Sequence, residues 1–323
     1  MNILIVGGTR FVGRAVAHEA VRRGHTVSVL NRGVTPDDLP ASVTRLRGDR
    51  SGDLSALNDK TFDVTIDTIA YRPVEVSALH DALGNRGGHH IQVSSISAYQ
   101  DPSDEGATEE SLEIYTDEFP EELVEITGQS YGPLKAACER RAKALFGTDN
   151  TTIVRPTYVV GSHDLTMRFP YWVHRALRGG EVLIPGPESD PLQWIDARDL
   201  ASFILETAER GLVDDFHVCG PTPGPRFTDV IKQLLEILSP AGTTNKTVGA
   251  STLQDAGVTP QQLPLWSMGE PATVLALSNA KAVSAGLTLR TLADTAQDTA
   301  TWLSGALAPS HWLSPEREAE LLA

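Results

Sequence analysis

The first thirteen residues constrain this chain more than any other segment. Ile3-Leu4-Ile5-Val6 is an unbroken apolar run suited to a strand buried on both faces, and Gly7-Gly8-Thr9-Arg10-Phe11-Val12-Gly13 follows it directly. A buried strand that turns through glycines into a helix aims free backbone N–H groups and the positive end of the helix dipole at one point. Proteins hold a dinucleotide pyrophosphate that way. A glycine cluster by itself also fits a surface turn, so its surroundings decide. Arg14 to Arg23 reads as an amphipathic helix with Val16, Ala17, Ala20 and Val21 inward; Gly24 stops it, and Thr26 to Leu30 is a second β-rich run. The three pieces make one βαβ unit.

Further candidate strands are Val43 to Arg47, Val64 to Ile69, Ile91 to Ser94 and Thr152 to Arg155, with helical or turn-rich segments between them. That alternation predicts an α/β fold, a Rossmann-type doubly wound parallel sheet. Beyond Arg155, prolines and glycines thicken at Gly179-Gly180, Pro185-Gly186-Pro187 and Pro221 to Pro225. Helices are expected at Ala197 to Arg210 and Phe227 to Leu238, with a short strand at Phe216 to Cys219. We expect residues 1–160 to form the dinucleotide-binding domain and 161–323 a smaller substrate lobe, with some elements returning to the first. The acidic stretch Asp101 to Thr127 breaks the rhythm; it is either a solvated insertion or a cover for a substrate site.

At 323 residues, with 41% hydrophobic and 21% charged, the chain is long and apolar enough for a sizeable core. No stretch approaches the roughly 20 apolar residues of a membrane helix, and the N-terminus reads as a core strand, so a cytoplasmic protein without membrane partners is expected. A formal net charge of −15 opposes a broad nucleic-acid interface and favours a small-molecule substrate; a homodimer stands as an option. Cys138 and Cys219 lack ligand-spaced partners, so no metal is expected, and His89-His90 reads as the start of a strand.

Tyr131 is followed four residues later by Lys135, which stacks both side chains on one helical face; Pro133 falls in the first turn, where its missing N–H does no harm. An ammonium beside a phenol favours the phenolate and suits proton transfer near neutral pH, although the spacing also arises on helix surfaces by accident. Upstream, Val93-Ser94-Ser95-Ile96-Ser97-Ala98-Tyr99 ends a candidate strand with hydroxyls. In an open α/β sheet these segments meet at the carboxyl edge, where ligands bind.

In order and spacing these motifs resemble the extended short-chain dehydrogenase/reductase family, the NAD-dependent epimerases and dehydratases. The resemblance runs over Gly7 to Gly13, Gly48-Asp49, Ser94 to Tyr99, Tyr131-Gly132-Pro133-Leu134-Lys135, Arg155-Pro156 and Gln193 to Leu200. It implies that Ser95 hydrogen-bonds a substrate oxygen, that Tyr131 is the general acid/base, and that Lys135 holds the nicotinamide ribose and lowers the tyrosine pKa. It also implies that Asp49 contacts the adenine. The implied cofactor contacts are Gly7, Thr9, Arg10, Phe11, Val12, Gly13, Asn31, Arg32, Asp49, Ile69, Ala70, Lys135, Pro156 and Tyr158. The implied chemistry is hydride transfer to or from a nicotinamide cofactor.

The chain departs from the family pattern in several places. Arg10 stands where a glycine is usual, and Asn31-Arg32 follows the second strand where an NAD enzyme normally offers a carboxylate. Both changes add positive charge near the adenosine ribose, which favours NADP over NAD, the alternative. Asp67-Thr68-Ile69-Ala70 differs from the His-Leu-Ala-Ala of sugar-nucleotide members. Its Gly7-Gly8-Thr9-Arg10-Phe11 turn and Asn31-Arg32-Gly33 after the second strand make the chain more similar to the branch holding chloroplast stem-loop-binding proteins and bacterial reductase-like members. Tyr158 replaces an asparagine that helps to hold a sugar nucleotide, and its ring suits a less charged, aromatic or cyclic carbonyl compound, unless it only packs between lobes. The expected function is an NADP-dependent carbonyl reductase or alcohol dehydrogenase, with a nucleotide-sugar epimerase or dehydratase as alternative. Gly128-Gln129-Ser130-Tyr131-Gly132 also fits the nucleophile elbow of serine hydrolases, a reading that needs a strand immediately before Ser130. A dinucleotide-sensing pseudoenzyme is a third reading, against which Ser95, Tyr131 and Lys135 together speak.

Overall fold

The computed structural model describes residues 1–102, 104–119, 124–187, 191–268, 276–305 and 308–323. Its centre is a seven-stranded sheet built from β1 (Asn2–Val6), β2 (Thr26–Asn31), β3 (Thr44–Arg47), β4 (Val64–Asp67), β5 (His89–Val93), β6 (Thr151–Pro156) and a strand from the second half of the chain, β10 (Asp215–Val218). The order is β10-β6-β5-β4-β1-β2-β3, and every pair is parallel. Winding reverses between β1 and β4, and at such a switch point the loops leaving the carboxyl ends splay apart into a crevice.

Strand alternation sends β1 into two cores at once. Ile3 and Ile5 pack with Val27 and Val29, under α1 (Phe11–Arg22) and α5 (Ala197–Arg210). Leu4 and Val6 face the opposite layer with Leu30, Leu79 and Leu83, on the side of α2 (Pro73–Leu83) and α3 (Tyr131–Phe146). A third core gathers Trp172, Phe169, Phe227 and Leu234 around α4 (Arg168–Arg178) and α6 (Phe227–Leu238). Two short parallel pairs lie outside the main sheet: β7 (Tyr158–Val160) with β9 (Trp194–Asp196), and β8 (Glu181–Pro185) with β11 (Thr244–Val248).

The expected strands and helices stand close to their places, with two differences. The first helix begins at Phe11, three residues earlier than its apolar pattern suggested, so the glycine turn runs straight into it. β4 stops at Asp67, whose carboxylate accepts the Ile69 N–H at 3.1 Å and pairs with Arg50, turning Ile69 out of the ladder while the Thr68 N–H still bonds the Val6 carbonyl at 3.1 Å. His89 and His90 open β5; His90 is fully buried, stacked on Phe146 with ring centroids 4.0 Å apart, and burial lowers its pKa to about 4. Both cysteines are free and buried.

The described part of the acidic stretch 101–127 lines neither of the two cavities described below; residues 103 and 120–123 lie outside the described residues. Its first part is held against the β10 side, while its later part bonds Ala98, Arg140 of α3 and Arg72. Ala107 accepts the Ser278 N–H at 2.9 Å, and the Glu109 carboxylate accepts the His217 N–H of β10 at 2.7 Å. Glu109 thereby occupies a donor on the open edge of the sheet.

Candidate active site

Two cavities open along the carboxyl edge of the sheet. The first, about 720 Å³, is floored by the turn after β1 and walled by the ends of β2, β3 and β4. Gly7 there adopts φ +89, a left-handed value that favours glycine. A Cβ on Gly13 would lie 2.4 Å from the Gly7 carbonyl oxygen, so only glycine lets the helix sit this close to the turn. Gly7, Thr9, Arg10, Phe11, Val12, Gly13, Asn31, Arg32, Asp49 and Ile69 all line this space. Ala70 does not; it is fully buried, and its carbonyl accepts Lys135.

The electrostatics of this cavity are uneven. Arg10 bonds only the Thr35 hydroxyl, at 2.6 Å, and neither it nor Arg32 has a carboxylate partner among the described residues. Asn31 Oδ1 is taken by the Gly33 N–H at 2.8 Å and by Arg47, while its Nδ2 is buried without an acceptor. An unmet buried donor and a turn cleared of side chains are what a bound dinucleotide would satisfy. Sequence reasoning missed Arg50, which lines the cavity and pairs with the fully buried Asp67. The departure at Asp67 carries the signal, since a carboxylate ending a central strand needs a cation nearby.

The second cavity, about 560 Å³, adjoins the first through shared walls at Phe11, Val12, Thr68, Tyr71 and Thr166. Ser95, Tyr131, Lys135, Pro156 and Tyr158 line it. Ser95 caps the short 3-10 turn Ile96–Ala98 by accepting the Ser97 N–H at 3.1 Å, and its hydroxyl donates to Ser97 Oγ at 3.2 Å. Tyr131 is the first residue of α3, and among the described residues no partner engages its hydroxyl. Lys135, one turn on, is buried; its Nζ donates to the Val93 and Ala70 carbonyls at 2.7 and 2.9 Å and lies 5.3 Å from the centroid of the Tyr71 ring. One of its three ammonium N–H groups is left for a ligand.

Sequence reasoning passed over Tyr71, Thr157 and Arg168 in this cavity, and named Ser94 only as part of its motif. The Ser94 and Thr157 hydroxyls are buried without partners. Tyr99 faces away from the site, bonded to Arg155 at 2.9 Å and His217 at 2.7 Å, and Arg155 is buried between Glu139 and Asp215. Ser130 donates to the Glu125 carbonyl at 2.7 Å, and residues 124–127 before it are not a strand. The nucleophile-elbow reading therefore lacks its strand. Among the described residues no group of His, Cys, Asp or Glu is gathered as for a metal.

A family model, the NAD dependent epimerase/dehydratase family, matches residues 3–219, a span that takes in the main sheet from Ile3 onward together with Ser95, Tyr131 and Lys135. The chain belongs to this family. The family is one of NAD(P)-dependent enzymes of the short-chain dehydrogenase/reductase type. A curated relative, the chloroplast stem-loop binding protein of 41 kDa b from Arabidopsis thaliana, is 26% identical over 240 residues, 68% of this chain. The match spans 58% of that relative's length. The UDP-N-acetylglucosamine 4-epimerase from Bacillus cereus is similar with a TM-score of 0.71 and 16% identity, over 94% of this chain and 100% of that one. The UDP-glucuronic acid 4-epimerase from Bacillus cereus, solved in complex with NAD, is similar with a TM-score of 0.66 and 16% identity, over 94% and 99%. At these identities the likeness to both is one of fold.

Proposed function

We propose that this family member is an NADP-dependent oxidoreductase acting on a small-molecule carbonyl or alcohol, a cytoplasmic protein with no nucleic-acid or membrane partner. The observation that carries the reading is the meeting of Ser95, Tyr131 and Lys135 in a cavity that shares its wall with the glycine-turn cavity. Residues 1–160 would hold the dinucleotide, with the N–H groups of Gly7 to Gly13 toward its pyrophosphate and Lys135 toward its ribose; residues 161–323 would complete the substrate side. Bound there, the cofactor supplies or accepts a hydride. Tyr131 exchanges a proton with the reacting oxygen, and Ser95 donates to the same oxygen once its long bond to Ser97 is released. Arg10 and Arg32, without a carboxylate partner among the described residues, support NADP, because a 2′-phosphate gives those guanidinium groups an anion.

Calorimetric titration with NADPH and NADH, followed by a carbonyl screen at the nicotinamide absorbance, tests this reading. Absence of dinucleotide binding overturns it, and binding without turnover of any compound favours a sensor. The likeness to NAD-bound epimerases supports a second reading, a nucleotide-sugar epimerase or dehydratase. An ordered UDP- or dTDP-hexose beside Tyr131 and Ser95 in soaked crystals would establish it.

A further inference from the structure

Lys135 and Arg168 are the two cationic side chains lining the second cavity, and Arg168 alone has its terminal nitrogens without a hydrogen-bond or ion-pair partner among the described residues. Lys135 is buried against two carbonyls. Arg168, the first residue of α4, places its guanidinium 4.7 Å from the centroid of the Tyr158 ring, and its Nε donates to Thr166 Oγ1 at 2.9 Å. Thr166 is fixed in turn: its hydroxyl and N–H both reach Asp164 Oδ1, at 2.6 and 2.8 Å, and Asp164 is fully buried. Among the described residues no hydrogen bond or ion pair engages the two terminal nitrogens of Arg168. The Tyr158 ring face, read from sequence as suited to a less charged, aromatic or cyclic compound or else to packing between lobes, thus has a cation over it.

A long, flexible side chain held at two points has already lost most of its rotamer freedom before any ligand arrives. Stacking and the Nε bond leave the outer edge of the fork, with its paired donors, as the unused part, and that edge matches an oxyanion in two-pronged geometry. The N-terminus of α4, eleven residues long, lies at the same end; the buried Asp164 carboxylate there offsets part of its positive potential and of the Arg168 charge, but leaves the guanidinium fork facing the cavity. The other polar side chains lining the cavity, such as those of Ser94, Ser95, Tyr131 and Thr157, are hydroxyls that do not repel an anion.

We propose that Arg168 is a specificity-determining residue that reads an oxyanion on the substrate, so that the substrate is a small carbonyl or alcohol compound carrying a carboxylate or a phosphate. The inference rests on the oxidoreductase reading for the reacting group, but not for the anion site. A purely structural Arg168 would clip β7 to α4 through Tyr158 and leave ligand charge unread.

The test is calorimetric titration of the full chain, with and without NADPH, using benzoate, phenyl phosphate and neutral benzamide as probes. At least one anion is expected to bind ten- to a hundredfold more tightly than benzamide, as for a charge-assisted contact. Whether benzoate or phenyl phosphate wins distinguishes carboxylate from phosphate. Arg168→Gln should erase the preference and Arg168→Lys should keep part of it, with thermal melts confirming that both variants fold. Equal binding of benzamide, no anion binding at all, or an unchanged preference in Arg168→Gln overturns the proposal. Anion preference without any NADPH binding would instead fault the oxidoreductase reading and leave the anion site standing.

Discussion

Tyr131 and Lys135 sit one helical turn apart yet stand differently in the structure. The Tyr131 hydroxyl has no bond to lose among the described residues, so Tyr131→Phe should leave the melting temperature unchanged while turnover falls about 10²- to 10⁴-fold, as when a general acid/base is removed. Steady-state kinetics beside a thermal melt checks both halves. Lys135→Met should damage both properties, since it strands the buried Val93 and Ala70 carbonyls at a cost of about 1–3 kcal/mol, read by denaturant unfolding. Arg32→Asp, which puts a carboxylate where a 2′-phosphate would lie, should reverse or erase the preference for NADPH over NADH by roughly one to two decades in affinity. Equal affinities in the unmutated protein would remove the basis of that argument. Tyr131, Lys135 and Ser95 were legible because helix spacing and strand ends fix their places. Arg168 and Arg50 were not, because their roles depend on partners two to seventeen residues away that loops, not periodic elements, bring near.

The glycine turn and α1 form one device, and its tolerance is set by the backbone. Gly13→Ala drives a methyl to within 2.4 Å of the Gly7 carbonyl, so the helix must retreat from the turn that it completes. Dinucleotide affinity should fall at least tenfold in that variant, measured by fluorescence titration, while the rest of the sheet persists. The sequence located this device and the strands because buried runs and glycine stops are local signals. It overran β4 because Thr68 and Ile69 are β-formers; what ends the strand is Asp67, whose carboxylate binds Arg50 from another loop. β5 and β10 each bury a histidine with its pKa lowered to about 4, desolvation being the leading cause. A histidine held neutral in the fold but protonated when unfolded stabilises the protein above its ordinary pKa of about 6.5, and that stability is lost as pH falls toward 4. His90→Leu should therefore flatten the acid limb of a stability-against-pH curve measured by chemical denaturation between pH 4 and 7; an unchanged slope would show that His90 contributes nothing to it.

Across the whole molecule, the second half of the chain is not an appendage to the first. β10 completes the sheet, α5 packs on α1, and the Arg155 cluster ties Glu139 of α3 to Asp215 of β10. This interweaving was the hardest part to read from sequence, because contacts between segments sixty or more residues apart leave no periodic trace. The acidic stretch shows the same limit. Its composition marked an insertion, but only the fold reveals that its carboxylates serve the sheet edge and a lysine, Lys281, which pairs with Glu110 at 2.5 Å.

That edge has a consequence for self-association. An open parallel sheet ends in a row of unpaired backbone groups, a template on which another chain can grow. Here Glu109 fills the His217 donor with a carboxylate, and the segment behind it is tied to the backbone at Ala276 and Ser278. A second copy of this chain cannot add a strand beside β10 without first tearing that segment away. A pair that extends the main sheet must therefore do so at the far edge, beside β3, and a copy clipped within 104–115 would expose a sticky border in place of a stoppered one.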